Sequence, residues 1–239
     1  MIEDKIREIE NELKRTKYNK ATQHHIALLK ARLAKLKRAT KSKGGASRAV
    51  VKKTGDATVV MVGYPSVGKS TLLTKLTNAE SKVADYEFTT LTAISGIMEY
   101  KGARIQLIDV PGIIDGAHMG KGRGKEVLGY ARMADLLLIM VDDPEQISTI
   151  EKELYNAGFR LNKEKPDIKI EKRYSGGLSI TIPERLKERL TKDMVRDMLA
   201  EFKIYNGEVV VKGDVSIDDF VDVLAGNRVY VPCIRVFNK

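Results

Sequence analysis

The residues best suited to chemistry are gathered in Gly63-Tyr64-Pro65-Ser66-Val67-Gly68-Lys69-Ser70, between the apolar run Val59 to Val62 and Thr71-Leu72-Leu73. Glycines let a backbone fold closely around an anion, and backbone N–H groups with a helix N-terminus supply positive potential. At this Walker A spacing Lys69 reaches the β- and γ-phosphates and the Ser70 hydroxyl is a ligand for Mg²⁺. Val59 through Leu73 therefore reads as strand, phosphate-binding loop and helix start. The bland alternative is a glycine turn with its lysine in solvent, and two motifs further on weigh against it.

The first is Asp85-Tyr86-Glu87-Phe88-Thr89-Thr90. A threonine in the loop after the P-loop helix can place its hydroxyl on Mg²⁺ and its N–H on the γ-phosphate. Thr90 is assigned that role, with Thr89 as the fallback. The second is Asp109-Val110-Pro111-Gly112, at the end of a β-rich run. There the aspartate can hold Mg²⁺ through a water while the Gly112 N–H meets the γ-phosphate. The spacing is that of a GTPase switch, and Gly116, Gly120, Gly122 and Gly124 make the following segment pliable.

Several elements must position these groups. Ile2, Ile6, Ile9 and Leu13, then Ile26, Leu29, Leu33 and Leu36, recur at helical spacing and predict a hairpin of two amphipathic helices. Thr40 to Asp56 reads as a basic linker. Thr92 to Tyr100 and Ala103 to Val110 predict a hairpin around Lys101-Gly102. A helix near Lys125 to Met133 and a buried strand at Leu136 to Val141 follow. Asp167 to Arg173, Leu178 to Ile182, Pro183 to Glu201, Glu208 to Lys212 and Ile217 to Leu224 predict a small ββαβα unit. Val229 to Phe237 reads as one strand. The domains expected are 1–56 (basic hairpin and linker), 57–145 (nucleotide domain), 146–228 (α+β insertion) and 229–239 (returning strand).

Of the 239 residues 43% are apolar, enough for a buried core. No apolar run approaches membrane-spanning length. One cysteine, Cys233, rules out an internal disulfide, fits a reducing compartment and points to the cytoplasm. Its surroundings suit a small buried hydrophobe better than a nucleophile. His24 and His25 have no third ligand nearby and read as surface residues. The net charge of +10 is uneven: residues 1–53 hold sixteen Lys and Arg against five Asp and Glu, with no acid from Leu13 to Lys53. Such asymmetry suits a polyanion, RNA or the ribosome, against the alternative of a solvated basic face.

Asp85 to Leu91, the run DVPGIIDGAHMGKGRG from Asp109 to Gly124, and GYPSVGKS together resemble the Obg superfamily of GTPases. Within it they resemble the Drg, or developmentally regulated GTP-binding protein, family, over essentially the whole chain. The resemblance implies an α/β P-loop GTPase domain with a basic helical N-terminal region, an insertion similar to a ribosomal-protein domain, and a C-terminal TGS domain. It also implies a translation-associated, Mg²⁺-dependent GTPase. Ile113 stands where many small GTPases carry the glutamine that positions water, so hydrolysis should be slow without a partner. Ser66 stands where potassium-activated relatives carry asparagine, which counts against K⁺. Asn238-Lys239 are the first half of the Asn-Lys-X-Asp guanine motif, and they are expected to shape the base pocket. The chain therefore reads as a fragment with an incomplete nucleotide domain, weakened guanine affinity and an open sheet edge prone to self-association.

The leading expectation is GTP hydrolysis to GDP and phosphate. Lys69, Thr90 and Gly112 would act on the phosphates, and Ser70, Thr90 and Asp109 on Mg²⁺. Gly63 to Thr71, Asp109 to Ile113, Asn238 and Lys239 would line the nucleotide, with a ribosomal or RNA partner at residues 1–53, a possible regulatory protein and no membrane. The alternative is an RNA- or ribosome-binding module in which nucleotide sets conformation without turnover. A third reading, an ATP-using P-loop protein, is opposed by Asn238-Lys239 directly after a buried strand.

Overall fold

The computed structural model describes residues 2–43, 54–77, 82–83, 93–110 and 124–238. They form two compact units, one of Met1–Ala46 with Lys165–Arg228, the other of Ser47–Glu164 with Val229–Lys239.

The second unit is built on a six-stranded sheet in the order β11-β5-β1-β4-β3-β2. Its centre is β1 (Ala57–Val62), parallel to β4 (Ala103–Asp109) on one side and β5 (Leu136–Val141) on the other. Val60 and Met61 are fully buried, as the uninterrupted apolar run requires of a strand covered on both faces. The outer parallel strand is β11 (Cys233–Phe237), on which Ile234 and Phe237 are about half exposed. At the other end β3 (Ile94–Tyr100) and the short β2 (Lys82–Val83) run antiparallel. The expected β3–β4 hairpin turns at Lys101 (φ 49°) and Gly102 (φ 84°), the two positive values that a right-twisted two-residue loop needs. Helices α3 (Lys69–Leu76) and α4 (Gly124–Ala131) follow β1 and precede β5.

Two features of this unit depart from expectation. Residues placed at the start of an insertion from 146 instead belong here: α5 (Pro144–Ala157) buries Ile150, Leu154 and Ala157 in the core of this sheet, and β6 (Phe159–Leu161) follows it. The boundary of the compact units falls between Glu164 and Lys165. The run Val229 to Phe237 is two strands. Pro232 separates β10 (Val229–Val231), which pairs in parallel with β6, from β11, which pairs with β5. Proline has no N–H to give a ladder, and only its carbonyl is used, accepting from Leu137 N at 2.9 Å.

In the first unit α1 (Ile2–Arg15) and α2 (Gln23–Lys43) form the expected hairpin. A three-stranded sheet runs in the order β7-β9-β8, from β7 (Ile168–Lys172), β8 (Leu178–Thr181) and β9 (Gly207–Val211). The two strands flanking Ser175-Gly176-Gly177 are thus not neighbours; β9 enters between them, antiparallel to β7 and parallel to β8. The single helix expected over Pro183 to Glu201 is a 3₁₀ turn at Glu184–Leu186 and then α6 (Lys192–Glu201), restarted by a Thr191 N-cap that accepts from Met194 N. The last helix is α7 (Ile217–Ala225), opened by a Ser216–Asp219 capping box. Ala27, Ala31 and Ala34 of α2 share one core with Leu186, Leu190, Val195, Met198 and Phe220. The N-terminal hairpin is therefore part of the same unit as 165–228, because α2 presents a small-residue face that α6 and α7 can approach closely. Among the described residues no helix is long and apolar enough to cross a membrane.

Candidate phosphate and metal site

The loop from Gly63 to Gly68 leaves β1 where its neighbours β4 and β5 diverge, the position at which open α/β sheets bind ligands. A Cβ on Gly63 would lie 2.1 Å from the Met140 carbonyl oxygen, so only glycine allows β1 to leave the sheet beside β5. Ser66 at φ 63° and Gly68 at φ 96° wrap the loop backbone. Val67 is buried, while Pro65, Ser66, Ser70 and Thr71 face solvent and Tyr64 is half-buried. Gly68 is the N-cap of α3 and offers no side-chain acceptor, which leaves first-turn N–H groups of the helix for an anion.

Lys69 is buried and curls over this loop, its Nζ donating to the carbonyls of Tyr64 at 2.8 Å and Gly63 at 3.2 Å. Burial lowers its pKa, and the negative charge of Asp109 works in the opposite direction. Ser70 Oγ donates to Asp109 Oδ2 at 2.5 Å. Asp109 ends β4 in register with Met61 of β1, and Val110 follows it as a buried residue. The other carboxylate oxygen, Oδ1, is buried and has no hydrogen-bond partner among the described residues. A buried carboxylate oxygen left bare is costly, and a hydroxyl beside it completes a set of hard oxygen donors. The corner fits Mg²⁺: the Ser70 hydroxyl would be a direct ligand, and the Asp109 carboxylate would face the metal or its water.

At the far side of the loop Asn238 Nδ2 donates to the Val67 carbonyl at 3.0 Å, and Asn238 N donates to Val141 O at 2.9 Å. The residue expected to shape a base pocket thus also ties the end of β11 to the phosphate loop. A Cβ on Gly68 would sit 2.6 Å from that Nδ2. Sequence reasoning missed the residue that sets β11 in place. Asn162, at φ 51°, accepts from Cys233 N at 2.7 Å and donates through Nδ2 to Cys233 O at 3.0 Å. Its only sequence signal is an asparagine just after a strand, a type that tolerates the left-handed region.

The structure brings together Lys69, Ser70 and Asp109, and brings Asn238 to Val67. Thr89, Thr90, Pro111, Gly112, Ile113 and Lys239 lie outside the described residues. Elsewhere, Cys233 is buried with its thiol pushed up to about 11 by burial, which leaves it no nucleophilic role at neutral pH. His24 is half-buried and His25 exposed, and they pair with Asp197 and Glu12 respectively. Among the described residues no group of three or more His, Cys, Asp or Glu side chains is placed to hold a metal.

The pattern of the family described as "50S ribosome-binding GTPase" matches residues 58–172, and that of the C-terminal region of the same domain matches residues 175–239. An uncharacterized GTP-binding protein of Methanocaldococcus jannaschii is 53% identical over 243 residues, covering 100% of this chain and 62% of its own. Developmentally-regulated GTP-binding protein 1 homolog of Dictyostelium discoideum is 49% identical, covering 98% of this chain and 66% of its own. Developmentally-regulated GTP-binding protein 2 of Homo sapiens is also 49% identical, covering 100% and 67%. The chain spans 62% to 67% of the length of these relatives.

Proposed function

The chain belongs to the developmentally regulated GTP-binding protein family of Obg-like GTPases, and from that premise we propose that it binds GTP with Mg²⁺, hydrolyses it slowly, and acts as a ribosome-associated switch in the cytoplasm. The observation that carries the reading is the bare, buried Asp109 oxygen beside the Ser70 hydroxyl and the buried Lys69 ammonium. Lys69 exchanges the Gly63 and Tyr64 carbonyls for β- and γ-phosphate oxygens, and a full negative charge then compensates its desolvation. Ser70 and Asp109, with Thr90 from its loop, would hold Mg²⁺, which would supply positive charge against the negative charge developing on the phosphates. Gly112 senses the γ-phosphate through its N–H. Asn238 and Lys239 shape the guanine pocket, and Gly63 to Thr71 with Asp109 to Ile113 line the phosphates. Position 113 gives attacking water no amide to orient it, so turnover is slow and open to acceleration by a protein partner. Ser66 argues against a K⁺ requirement. Residues 1–53 supply the basic surface for a ribosomal or RNA partner.

The test is binding of fluorescent GTP, GDP and ATP analogues in Mg²⁺, with Lys69→Ala as control. Guanine-selective binding that the variant loses supports the switch. Equal affinity for ATP, or binding indifferent to Lys69, overturns it. A second reading, in which nucleotide sets conformation and the chain turns nothing over, is favoured by Ile113. Single-turnover assays showing bound GTP unchanged over hours would select it.

A further inference from the structure

The turn joining α1 to α2 combines charge, an exposed ring and a tied backbone. Lys14 and Arg15 close α1, Lys17 and Lys20 lie in the turn, and all four are exposed. No acidic residue follows in the sequence until Asp56. None of the four cations makes an ion pair among the described residues. On the flanks of the same unit, by contrast, Lys30 pairs with Asp218, Arg32 with Glu201 and Lys37 with Glu10. The acid nearest the turn, Glu12, is already engaged by His25 at 2.8 Å.

Tyr18 stands in the middle of these cations, 65% exposed. The backbone beneath it is fixed by side chains. Asn19 and Thr22 exchange hydrogen bonds, Asn19 N to Thr22 Oγ1 at 3.0 Å and Thr22 N to Asn19 Oδ1 at 2.9 Å. The Thr22 hydroxyl also donates to Lys17 O at 2.7 Å, and Thr16 Oγ1 donates to Glu12 O at 2.8 Å. A loop tied by these four side-chain hydrogen bonds holds its ring exposed at little further cost in entropy on binding. An exposed aromatic ring among unpaired cations matches the chemistry of unpaired nucleotides, which offer a π-face for stacking and phosphates on either side. Duplex RNA hides its base faces and would use the cations alone.

We propose that this hairpin tip is a contact for single-stranded RNA, with a base stacked on Tyr18 and the flanking phosphates on Lys14, Arg15, Lys17 and Lys20. The inference rests on the reading of residues 1–53 as the basic surface for an RNA partner and names the part of it that distinguishes unpaired from paired RNA.

Fluorescence anisotropy of the full chain with labelled twelve-nucleotide oligouridine, and with a blunt RNA duplex of the same length, tests it. Tyr18→Ala should weaken oligouridine binding about tenfold, leave its salt dependence unchanged and leave duplex binding unchanged. Tyr18→Phe should bind as the parent does. The double variant Lys17→Gln, Lys20→Gln should flatten the slope of log affinity against log salt by about 1.4, at about 0.7 per phosphate contact on a single strand. Far-UV circular dichroism and melting curves matching the parent show that each variant is folded. If the parent binds oligouridine and Tyr18→Ala binds equally well, the tip is overturned while the wider RNA reading stands. If the parent binds neither RNA, or prefers an oligoglutamate peptide, both are overturned.

Discussion

Replacing Asn162 by alanine tests how the strand that carries Asn238 is kept in place. Pro232 interrupts the run between β10 and β11, and beside the backbone bonds Leu137 N to Pro232 O and Asn162 N to Val231 O the Asn162 side chain secures the start of β11 with its two bonds to Cys233. Alanine removes both bonds, worth about 1 kcal/mol each, and must hold the left-handed backbone at φ 51° at about 1 kcal/mol more. The sum, about 3 kcal/mol, corresponds to roughly a hundredfold change in an opening equilibrium. Native-state hydrogen exchange read by mass spectrometry over Cys233–Phe237 should show that loss of protection, since exchange reports local opening. Asn162→Gly loses the same bonds without the backbone strain, so its loss should be about 2 kcal/mol, or roughly thirtyfold. Guanine-nucleotide affinity should fall in the same order, because Asn238, directly after β11, holds the Val67 carbonyl. Protection over β11 within threefold of the parent in Asn162→Ala would refute this account of the strand join.

Gly68→Ala places a Cβ 2.6 Å from Asn238 Nδ2 on a backbone at φ 96°; calorimetry should show nucleotide binding at least tenfold weaker in a folded protein, and parental affinity would contradict the loop geometry. Lys69 has a folded pKa below its ordinary 10.5, so the unfolded chain binds more protons between the two values. Nucleotide-free stability should therefore rise with pH from below 10.5 up to that value, relative to Lys69→Met, the penalty being complete below the folded pKa. Urea titrations at pH 8 to 10.5 check this, and excess pyrophosphate should flatten the difference. With its thiol raised to about 11, Cys233 should be labelled by Ellman's reagent at pH 8 only as the protein unfolds, and rapid labelling of the native chain would refute its burial.

The phosphate loop was legible in the sequence because each of its residues answers a local need: glycines for close approach, a lysine and a hydroxyl for charge and metal, an apolar strand before and a helix after. Asp109 was legible because it ends a buried run. The Asn238 tie to Val67 was not, since it joins residues distant in sequence through the parallel pairing of β11 with β5. The helix α5 had its own signals, an Asp143 N-cap, Pro144 at the first turn and a left-handed Gly158 after it, but its polar face masked the apolar positions Ile147, Ile150 and Leu154. The hairpin's place in the core of 165–228 turned on Ala27, Ala31 and Ala34, whose small side chains carry little hydrophobic signal but permit close helix approach. Pro232 was visible, yet β-branched and apolar neighbours on both sides made two strands look like one.

The central claim is that Ser70 and Asp109 form the metal corner of a nucleotide site. Its most direct test is the Mg²⁺ dependence of affinity for a fluorescent, non-hydrolysable GTP analogue in the parent, Ser70→Ala and Asp109→Asn. The account predicts affinity that rises with Mg²⁺ in the parent and at least a tenfold loss of that gain in both variants, with metal-free binding little changed. Variants that respond to Mg²⁺ as the parent does would contradict it.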